Sequence, residues 1–249
     1  MKISPLLKLI VLVNVIFCFN CSNTQIDNTP MVTIEKLVFN PFQVNTFIIY
    51  DETKECVIVD AACYGSDEEQ ILADFIKDKG LKPVHLIDTH CHIDHILGNR
   101  FAATTYNLEL SAHRDSEFFV ERSLESAAMY GFKLENPLMP SIYLKEGDEV
   151  KFGNSKLKIA EAPGHANGSI CLISEEGNFV VTGDVLFKDS IGRTDLPTGD
   201  LDLLLSNIKE KLFVLDKDMK VHPGHGPETS IGYEKQNNPF VKGFDKGIE

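Results

Sequence analysis

Basic residues are scarce in this sequence. Its 24 lysines and arginines are outnumbered by 37 acidic residues, and the formal net charge is −13. A surface of this sign argues against a nucleic-acid backbone as a partner, because phosphate binding needs a basic surface. An acidic small molecule is still allowed, since a bound divalent metal can reverse the sign of a pocket.

Repeats, low-complexity blocks and a disulfide framework are not apparent either. The missing repeats argue against a solenoid or a propeller. Four cysteines follow Cys21 without the spacing of a disulfide scaffold, and we expect them to be small buried residues: Cys56, Cys63, Cys91 and Cys171. Apolar residues make up 43% of the chain, which is enough to bury the core of one sizeable domain.

The N-terminal apolar run, Leu6 to Phe19, is shorter than the roughly 20 residues that span a bilayer. Lys2 and Lys8 flank its start, as in a signal peptide. Cys21 and the residues around it resemble a bacterial lipoprotein signal, although Cys18 and Asn20 depart from the usual motif. We therefore predict a signal peptide (residues 1–21) ending at a lipidated Cys21, a linker (22–30) and a folded domain (31–249). This organisation predicts an exported protein anchored at the periplasmic or outer cell surface. A plain secretory signal and an uncleaved anchor are the alternatives.

The first part of the domain has the pattern of two strands, a helix and a third strand. We predict the strands at Thr46–Tyr50, Cys56–Asp60 and Val84–Asp88. Ser66 and Glu69 form a capping-box pattern at the start of the helix, and Gly80 ends it. A strand–helix–strand unit of this kind favours a parallel sheet.

The second part of the domain changes from helices to antiparallel strands. Helices are predicted at about Asn99–Tyr106, Asp115–Met129 and Leu201–Leu212. From Ser141 onward, Gly153-Asn154 and Glu176-Gly177 lie where hairpin turns are expected, and a last strand reaches Val221. Two β-rich halves with helices indicate an α/β fold, a four-layer αββα sandwich.

The segment Thr89 to His95 (THCHIDH) is the strongest chemical signal in the sequence. His90, His92, Asp94 and His95 fall within six positions of a chain that has only 8 histidines. Imidazole nitrogens and carboxylate oxygens suit zinc, iron and manganese. The alternative, a histidine-rich surface tract, is disfavoured because further ligand-type residues follow other predicted strands.

Three such residues are His165, Asp184 and His225, each just after a strand and next to a glycine or proline. If these loops converge, the seven residues divide into two metal sites: His90, His92 and His165 for one metal, and Asp94, His95 and His225 for the other, with Asp184 bridging. Such a site leaves room for a bridging water.

In these motifs the sequence resembles the metallo-β-lactamase superfamily. The matching segments are HCHIDH (90–95), APGHANGS (162–169), GDVLF (183–187) and HPGHG (222–226). SIGRTD (190–195) and the tail GHGPETSIG (224–232) resemble short, single-domain glyoxalase-II-type thioester hydrolases. The resemblance implies a metallo-β-lactamase-type αββα sandwich and the same seven ligands. It also implies two divalent ions, most simply zinc, with iron or manganese as alternatives.

The expected function is hydrolysis of a small-molecule thioester by a metal-bridging hydroxide, with Asp94 as the catalytic proton acceptor. The alternatives are an iron-dependent persulfide dioxygenase of the same superfamily, a true β-lactamase and a non-catalytic metal-binding lipoprotein. His225 favours a complete second site over the dioxygenase. The SIGRTD segment and the tail argue against the β-lactamase, and seven intact ligands argue against a non-catalytic protein.

Other polar residues receive structural interpretations. Asp60 either orients a metal-bound histidine or makes a turn or helix cap. His85 and His113 are expected to be structural, His222 is expected either to be structural or to support a metal ligand, and Arg193 is expected to pair with Asp195. Substrate specificity is expected from the loop Phe132–Ser141 and the C-terminal tail.

Overall fold

The computed structural model describes residues 31–244 as two six-stranded sheets packed face to face. The predicted signal peptide, the lipidated Cys21 and the linker lie outside the described residues, so these predictions remain untested. The first sheet contains, in spatial order, β1 (Thr33–Phe39), β2 (Val44–Tyr50), β3 (Glu55–Val59), β4 (Lys82–Ile87), β5 (Leu110–Ala112) and β6 (Ile142–Tyr143).

The second sheet has the spatial order β14-β13-β10-β9-β8-β7. Its strands are β7 (Glu149–Phe152), β8 (Ser155–Glu161), β9 (Ile170–Ser174), β10 (Phe179–Gly183), β13 (Lys220–Pro223) and β14 (Thr229–Ser230). A small hairpin, β11 (Leu186–Phe187) and β12 (Ser190–Ile191), follows β10. β7 and β8 are joined by the predicted two-residue turn at Gly153-Asn154.

Helices cover the outer faces of both sheets. They are α1 (Ser66–Asp78), α2 (Asn99–Tyr106), α3 (Glu117–Glu121), α4 (Ser123–Tyr130), α5 (Leu201–Asn207), α6 (Ile231–Asn237) and α7 (Pro239–Phe244). A 3₁₀ turn (Arg114–Ser116) precedes α3, and a π-helical segment (Ile208–Leu212) continues α5. No helix within residues 31–244 is long and apolar enough to cross a membrane.

Strand β2 shows why the layers form. Its side chains alternate: Phe47 and Ile49 point into the apolar layer between the sheets, and Ile48 packs toward α1 and α2. Because both faces of the strand are covered, every residue of β2 is buried. The predicted four-layer αββα sandwich is confirmed.

Strand direction brings the ends of several strands to one edge. β3 and β4 are parallel, as predicted from the strand–helix–strand pattern. In the second sheet β10 is parallel to β13, and β8 runs in the same direction because each is antiparallel to β9. The loops that follow these strands therefore emerge at the same side of their sheets.

Two local predictions differ from the structure, and one strand was missed. β1 was not predicted. Ser66 does not cap α1: Gly65 precedes the helix with φ +80°, and no side-chain cap forms. The carboxylate of Glu68 instead accepts hydrogen bonds from the backbone N–H groups of Tyr64 (2.8 Å) and Asn40 (2.9 Å). The single helix predicted over Asp115–Met129 is a 3₁₀ turn followed by two short helices.

Candidate metal centre

All seven predicted ligand residues lie at the shared edge of the two sheets. The loop after β4 carries four of them, and the loops after β8, β10 and β13 carry one each: His90, His92, Asp94 and His95, then His165, Asp184 and His225. They form three overlapping trios, and within each trio one ligand atom per residue lies within 4.8 Å of the others. Two of them match the predicted metal sites and are called the first trio, His90–His92–His165, and the second trio, Asp94–His95–His225. The remaining group, His90–His95–Asp184, shares one histidine with each of these.

The first trio consists of imidazoles only. Nε2 of His165 lies 2.9 Å from Nδ1 of His92, while Nδ1 of His165 donates to the carbonyl of Arg193 (2.8 Å). Burial lowers the pKa of all three rings, well below the usual range for His90 and to about 4 for His92. Neutral imidazoles are the form that binds metal.

The second trio mixes imidazole and carboxylate. Oδ2 of Asp94 lies 3.3 Å from Nε2 of His225 and 3.8 Å from Nε2 of His95. His225 is oriented through Nδ1, which donates to the carbonyl of Phe42 (3.0 Å). Burial opposes protonation of His225, but Asp184 and Asp94 raise its pKa to about 9. The carboxylates thus favour a positive charge at this trio.

Asp184 contacts members of both trios. Its Oδ2 lies 3.7 Å from Nε2 of His165 and 3.5 Å from Nε2 of His225, and its Oδ1 lies 3.5 Å from Nε2 of His95. Burial by itself would raise its pKa, but His95 and His225 hold that pKa well below the usual range. An ionised carboxylate therefore lies between the two groups of ligand-type side chains.

The donor set fits divalent cations. Among residues 31–244, buried Nε2 of His90, buried Nε2 of His95 and buried Oδ1 of Asp184 have no hydrogen-bond partner. Leaving such atoms unpaired is costly, about 1–3 kcal/mol each, so native structures usually satisfy them. These atoms point into one cluster of nitrogen and carboxylate-oxygen donors, the combination that zinc, iron and manganese bind.

Asp60, directly after β3, contacts a histidine of the same cluster. It is fully buried, and its Oδ2 accepts hydrogen bonds from Nδ1 of His95 (3.0 Å) and from Oγ1 of Thr89 (2.7 Å). Its Oδ1 accepts from the backbone N–H of Thr89 (2.7 Å). Of the two interpretations that the sequence left open for Asp60, the geometry supports orientation of a histidine.

Close packing requires a glycine at position 224, in the segment HPGHG. A Cβ at this position would lie 2.3 Å from Oδ1 of Asp184 and 2.8 Å from Cε1 of His95. No side chain larger than hydrogen fits there without displacing one of these groups. The backbone N–H of Gly224 donates to the carbonyl of Gly183 (2.8 Å), which fixes the loop after β13 against the end of β10.

A cavity of about 490 Å³ opens over the cluster. Five aromatic side chains that were not predicted to lie at the site contribute to its walls: Phe42, Phe118, Phe119, Tyr130 and Phe187. Phe118 to Tyr130 belong to the α3–α4 region. The loop Phe132–Ser141 and the tail beyond His225, where specificity was expected, do not line this cavity.

The remaining structural interpretations agree with the contacts. Arg193 donates two hydrogen bonds to the Asp195 carboxylate, each 2.7 Å long. His85 contacts the carbonyl of Lys151 (2.9 Å), and the ring of His222 packs between those of Phe47 and Phe179. The four cysteines of the described region are buried and unpaired, as expected.

Comparison with known proteins identifies the family. The sequence profile described as the metallo-beta-lactamase superfamily matches residues 39–225, a span that contains all seven residues of the cluster. The chain belongs to the metallo-β-lactamase superfamily. Members of this superfamily bind divalent metals, and the His/Asp cluster lies where such metals would be held.

Two curated relatives within the superfamily are 34% identical to this chain. The probable metallo-hydrolase YqgX of Bacillus subtilis aligns over 84% of this chain and 97% of its own length. The hydroxyacylglutathione hydrolase GloC of Haemophilus influenzae aligns over 84% of this chain and 98% of its own length.

Two solved structures share the fold at 30% identity. The BLEG-1 B3 metallo-beta-lactamase has a TM-score of 0.77 and covers 84% of this chain and 99% of its own. TTHA1623, solved in a di-iron-bound form, has a TM-score of 0.74 and covers 83% of this chain and 99% of its own. The chain is therefore similar to metallo-hydrolases over almost their whole length.

Proposed function

We propose that this chain is a dinuclear metal-dependent hydrolase that cleaves thioesters of small molecules. One metal would be held by His90, His92 and His165, and the other by Asp94, His95 and His225, and Asp184 would serve both. The observation that carries the proposal is the position of Asp184, whose carboxylate contacts imidazoles of both groups. Zinc is the expected metal, although the same donors accept iron and manganese.

Thioesters are favoured for two reasons. The segment SIGRTD and the tail after His225 resemble thioester hydrolases of the glyoxalase-II type. GloC, which carries the name hydroxyacylglutathione hydrolase, is 34% identical over 98% of its own length. When bound, two divalent ions would supply an ionised water at neutral pH and a Lewis acid for a carbonyl oxygen.

The protein's own residues would orient the ligands and move the proton. His165, His225 and His95 each use Nδ1 to contact a fixed oxygen, of Arg193, Phe42 and Asp60 respectively, so that Nε2 stays available. The Asp94 carboxylate would accept the proton of the attacking water. Phe119, whose ring lies 4.7 Å from that of His92, would keep bulk water from this side of the site.

Metal content and thioester turnover of His92→Ala test the proposal together. We expect loss of metal from the first trio and loss of most activity, measured as thiol release from a panel of thioesters. His113→Ala is the matched control, since His113 contacts Asp115 and Glu161 rather than the cluster. Near-normal turnover by purified His92→Ala protein would refute the assignment.

A β-lactamase is the second candidate, because the BLEG-1 B3 metallo-beta-lactamase shares the fold at a TM-score of 0.77. Hydrolysis of a chromogenic cephalosporin distinguishes it from the thioesterase. A persulfide dioxygenase with a single iron is less favoured, since His225 lies 3.3 Å from Asp94 and completes a second trio. Oxygen uptake with a persulfide substrate tests that alternative.

A further inference from the structure

Two arginines line the cavity above the cluster, and they differ in their partners. Arg193 is held by two hydrogen bonds to the Asp195 carboxylate, so its charge is neutralised by that pair. Arg122 lies in the break between α3 and α4, and its Nη1 donates to the carbonyl of Phe118 (3.0 Å). Within residues 31–244, this is the only hydrogen bond of the Arg122 guanidinium.

The nearest carboxylate does not neutralise Arg122. Oε2 of Glu121 lies 3.8 Å from Nη1 of Arg122, which is beyond hydrogen-bonding distance, and the Glu121 side chain is 64% exposed. An exposed pair at this distance contributes little. Most of the planar fork of donors on Arg122 is therefore available to a ligand.

Successive contacts between aromatic rings connect Arg122 to the cluster. The guanidinium stacks on the ring of Phe118, 3.8 Å from its centroid. Phe118 packs edge-on against Phe119 with centroids 5.1 Å apart, and Phe119 lies 4.7 Å from the ring of His92. Stacking and the bond to the Phe118 carbonyl hold the guanidinium at the cavity wall, two phenyl rings away from His92.

Further aromatic side chains line the cavity. The rings of Phe42 and Tyr130 are in edge contact, with centroids 5.4 Å apart, and the ring of Phe187 lies 6.3 Å from that of His225. A ligand that reaches from the cluster to Arg122 therefore passes between aromatic side chains. An apolar middle part suits this path, because polar groups placed against these rings would lose water without gaining partners.

We propose that Arg122 binds a substrate carboxylate, and that the substrate is a thioester with an apolar spacer between this carboxylate and the reacting carbonyl. A guanidinium fork matches a carboxylate in two parallel hydrogen bonds. A monoanion is favoured over a phosphate because Arg193, the other arginine of the cavity, is already paired with Asp195. This inference rests on the proposed thioesterase function and names a specificity-determining residue for it.

Two matched substrate pairs distinguish the two places where the carboxylate could be. In the first pair the acyl group carries it: glutaryl against pentanoyl thioesters of N-acetylcysteamine. In the second pair the thiol carries it: acetyl thioesters of mercaptohexanoate against hexanethiol. We expect the zinc-loaded protein to prefer the carboxylate member of at least one pair, as a ratio of kcat/KM values. Arg122→Gln should lower that ratio about tenfold or more, since hydrogen bonds to charged groups are strong.

Arg100→Gln is the matched control, because Arg100 is an exposed arginine that bonds the carbonyls of Asn136 and Pro137 rather than lining the cavity. It should leave the ratio unchanged. No preference in either pair, or a preference that survives in Arg122→Gln, would overturn the role of Arg122.

A binding measurement separates this inference from the proposed function. The uncleavable thioether analogues of both carboxylate substrates, the glutaryl and the mercaptohexanoate compounds, are each titrated calorimetrically into the wild-type protein and Arg122→Gln. A dissociation constant about tenfold weaker in the variant supports the inference even if no thioester is hydrolysed, in which case only the proposed reaction fails. Equal affinity for both proteins would overturn the inference.

Discussion

Asp60 and His95 form a fully buried pair in which Oδ2 of the carboxylate accepts a hydrogen bond, 3.0 Å long, from Nδ1 of the imidazole. The contact determines where the ring proton lies. With Nδ1 protonated and facing Asp60, Nε2 points toward Asp184 and Asp94 and carries the lone pair when the ring is neutral. The carboxylate after β3 thereby orients a histidine of the loop after β4 in the form that can bind metal.

Asp60→Asn should therefore weaken metal binding at the second trio. The Asn amide has a single acceptor oxygen, so it cannot accept hydrogen bonds from Thr89 and from Nδ1 of His95 on both of its terminal atoms. If its NH₂ group faces Nδ1, the ring proton moves to Nε2. We expect a loss of about 10- to 100-fold in metal affinity at Asp94, His95 and His225, with the first trio retained. Chelator competition with metal analysis measures the two affinities.

The backbone should tolerate this substitution. Asp60 has φ +51°, a conformation that asparagine adopts as readily as aspartate. Asp51→Asn is the control, because Asp51 is another buried carboxylate with several donors but lies away from the cluster. An equal loss of metal in both variants would show that general destabilisation, not orientation of His95, is the cause.

The cluster could be predicted because each of its loops carries a local motif. His165, Asp184 and His225 each follow a strand and stand beside a glycine or proline, and parallel strand direction then brings the loops together. Nothing else about the fold has to be known for this inference. The exact pairing of atoms, such as Nδ1 of His92 with Nε2 of His165, depends on ring orientation and is visible only in the structure.

The cavity walls and several element boundaries could not be predicted in this way. Phe42 and Tyr130 are distant in sequence, and their rings meet only through tertiary packing, which periodicity does not encode. The helix expected over Asp115–Met129 is interrupted at Arg122, where the Ser123 hydroxyl donates to the carbonyl of Val120 (2.7 Å). β1 was missed because it is an edge strand, partly exposed, whose pairing with β2 is its main support.

Gly224→Ala should disrupt the site without unfolding the protein. The added Cβ would lie 2.3 Å from Oδ1 of Asp184, so the carboxylate between the two trios has to move. A displacement on the order of 1 Å in a reacting geometry costs about 100-fold in rate. We expect that loss in kcat/KM for a thioester, together with a lower content of both metals.

Gly147→Ala provides the comparison for Gly224→Ala. Gly147 has φ +81° and nothing within 4 Å of an added Cβ, so alanine there introduces backbone strain but no clash. The melting temperature of the Gly147→Ala protein should fall, while its activity per folded molecule stays at the wild-type level. If Gly224→Ala also lowers the melting temperature but keeps wild-type activity, a clash with Asp184 is not the reason that glycine is needed at position 224.

Asp51 should contribute stability that depends on pH. Its carboxylate connects two hairpins, accepting from the backbone N–H of Thr53 (2.9 Å), the backbone N–H of Asn154 (2.6 Å) and the Ser155 hydroxyl (3.0 Å). Burial alone would raise its pKa, but these donors lower it overall. A pKa lower in the folded than in the unfolded state means that the contribution is complete above the unfolded value, about 4, and is lost as pH falls through the folded value.

Asp51→Asn should lower the free energy of unfolding at about pH 7 by roughly 1–3 kcal/mol, because its amide turns a donor toward groups that need an acceptor. The difference between wild type and variant should narrow as pH falls below about 4, where the wild-type carboxylate becomes protonated. Urea unfolding of the metal-free proteins across this pH range measures both effects. Asp78→Asn, at an exposed position in α1, should change neither. A wild-type–variant difference that stays constant down to about pH 2 would show that the ionised carboxylate is not the source of the stabilisation.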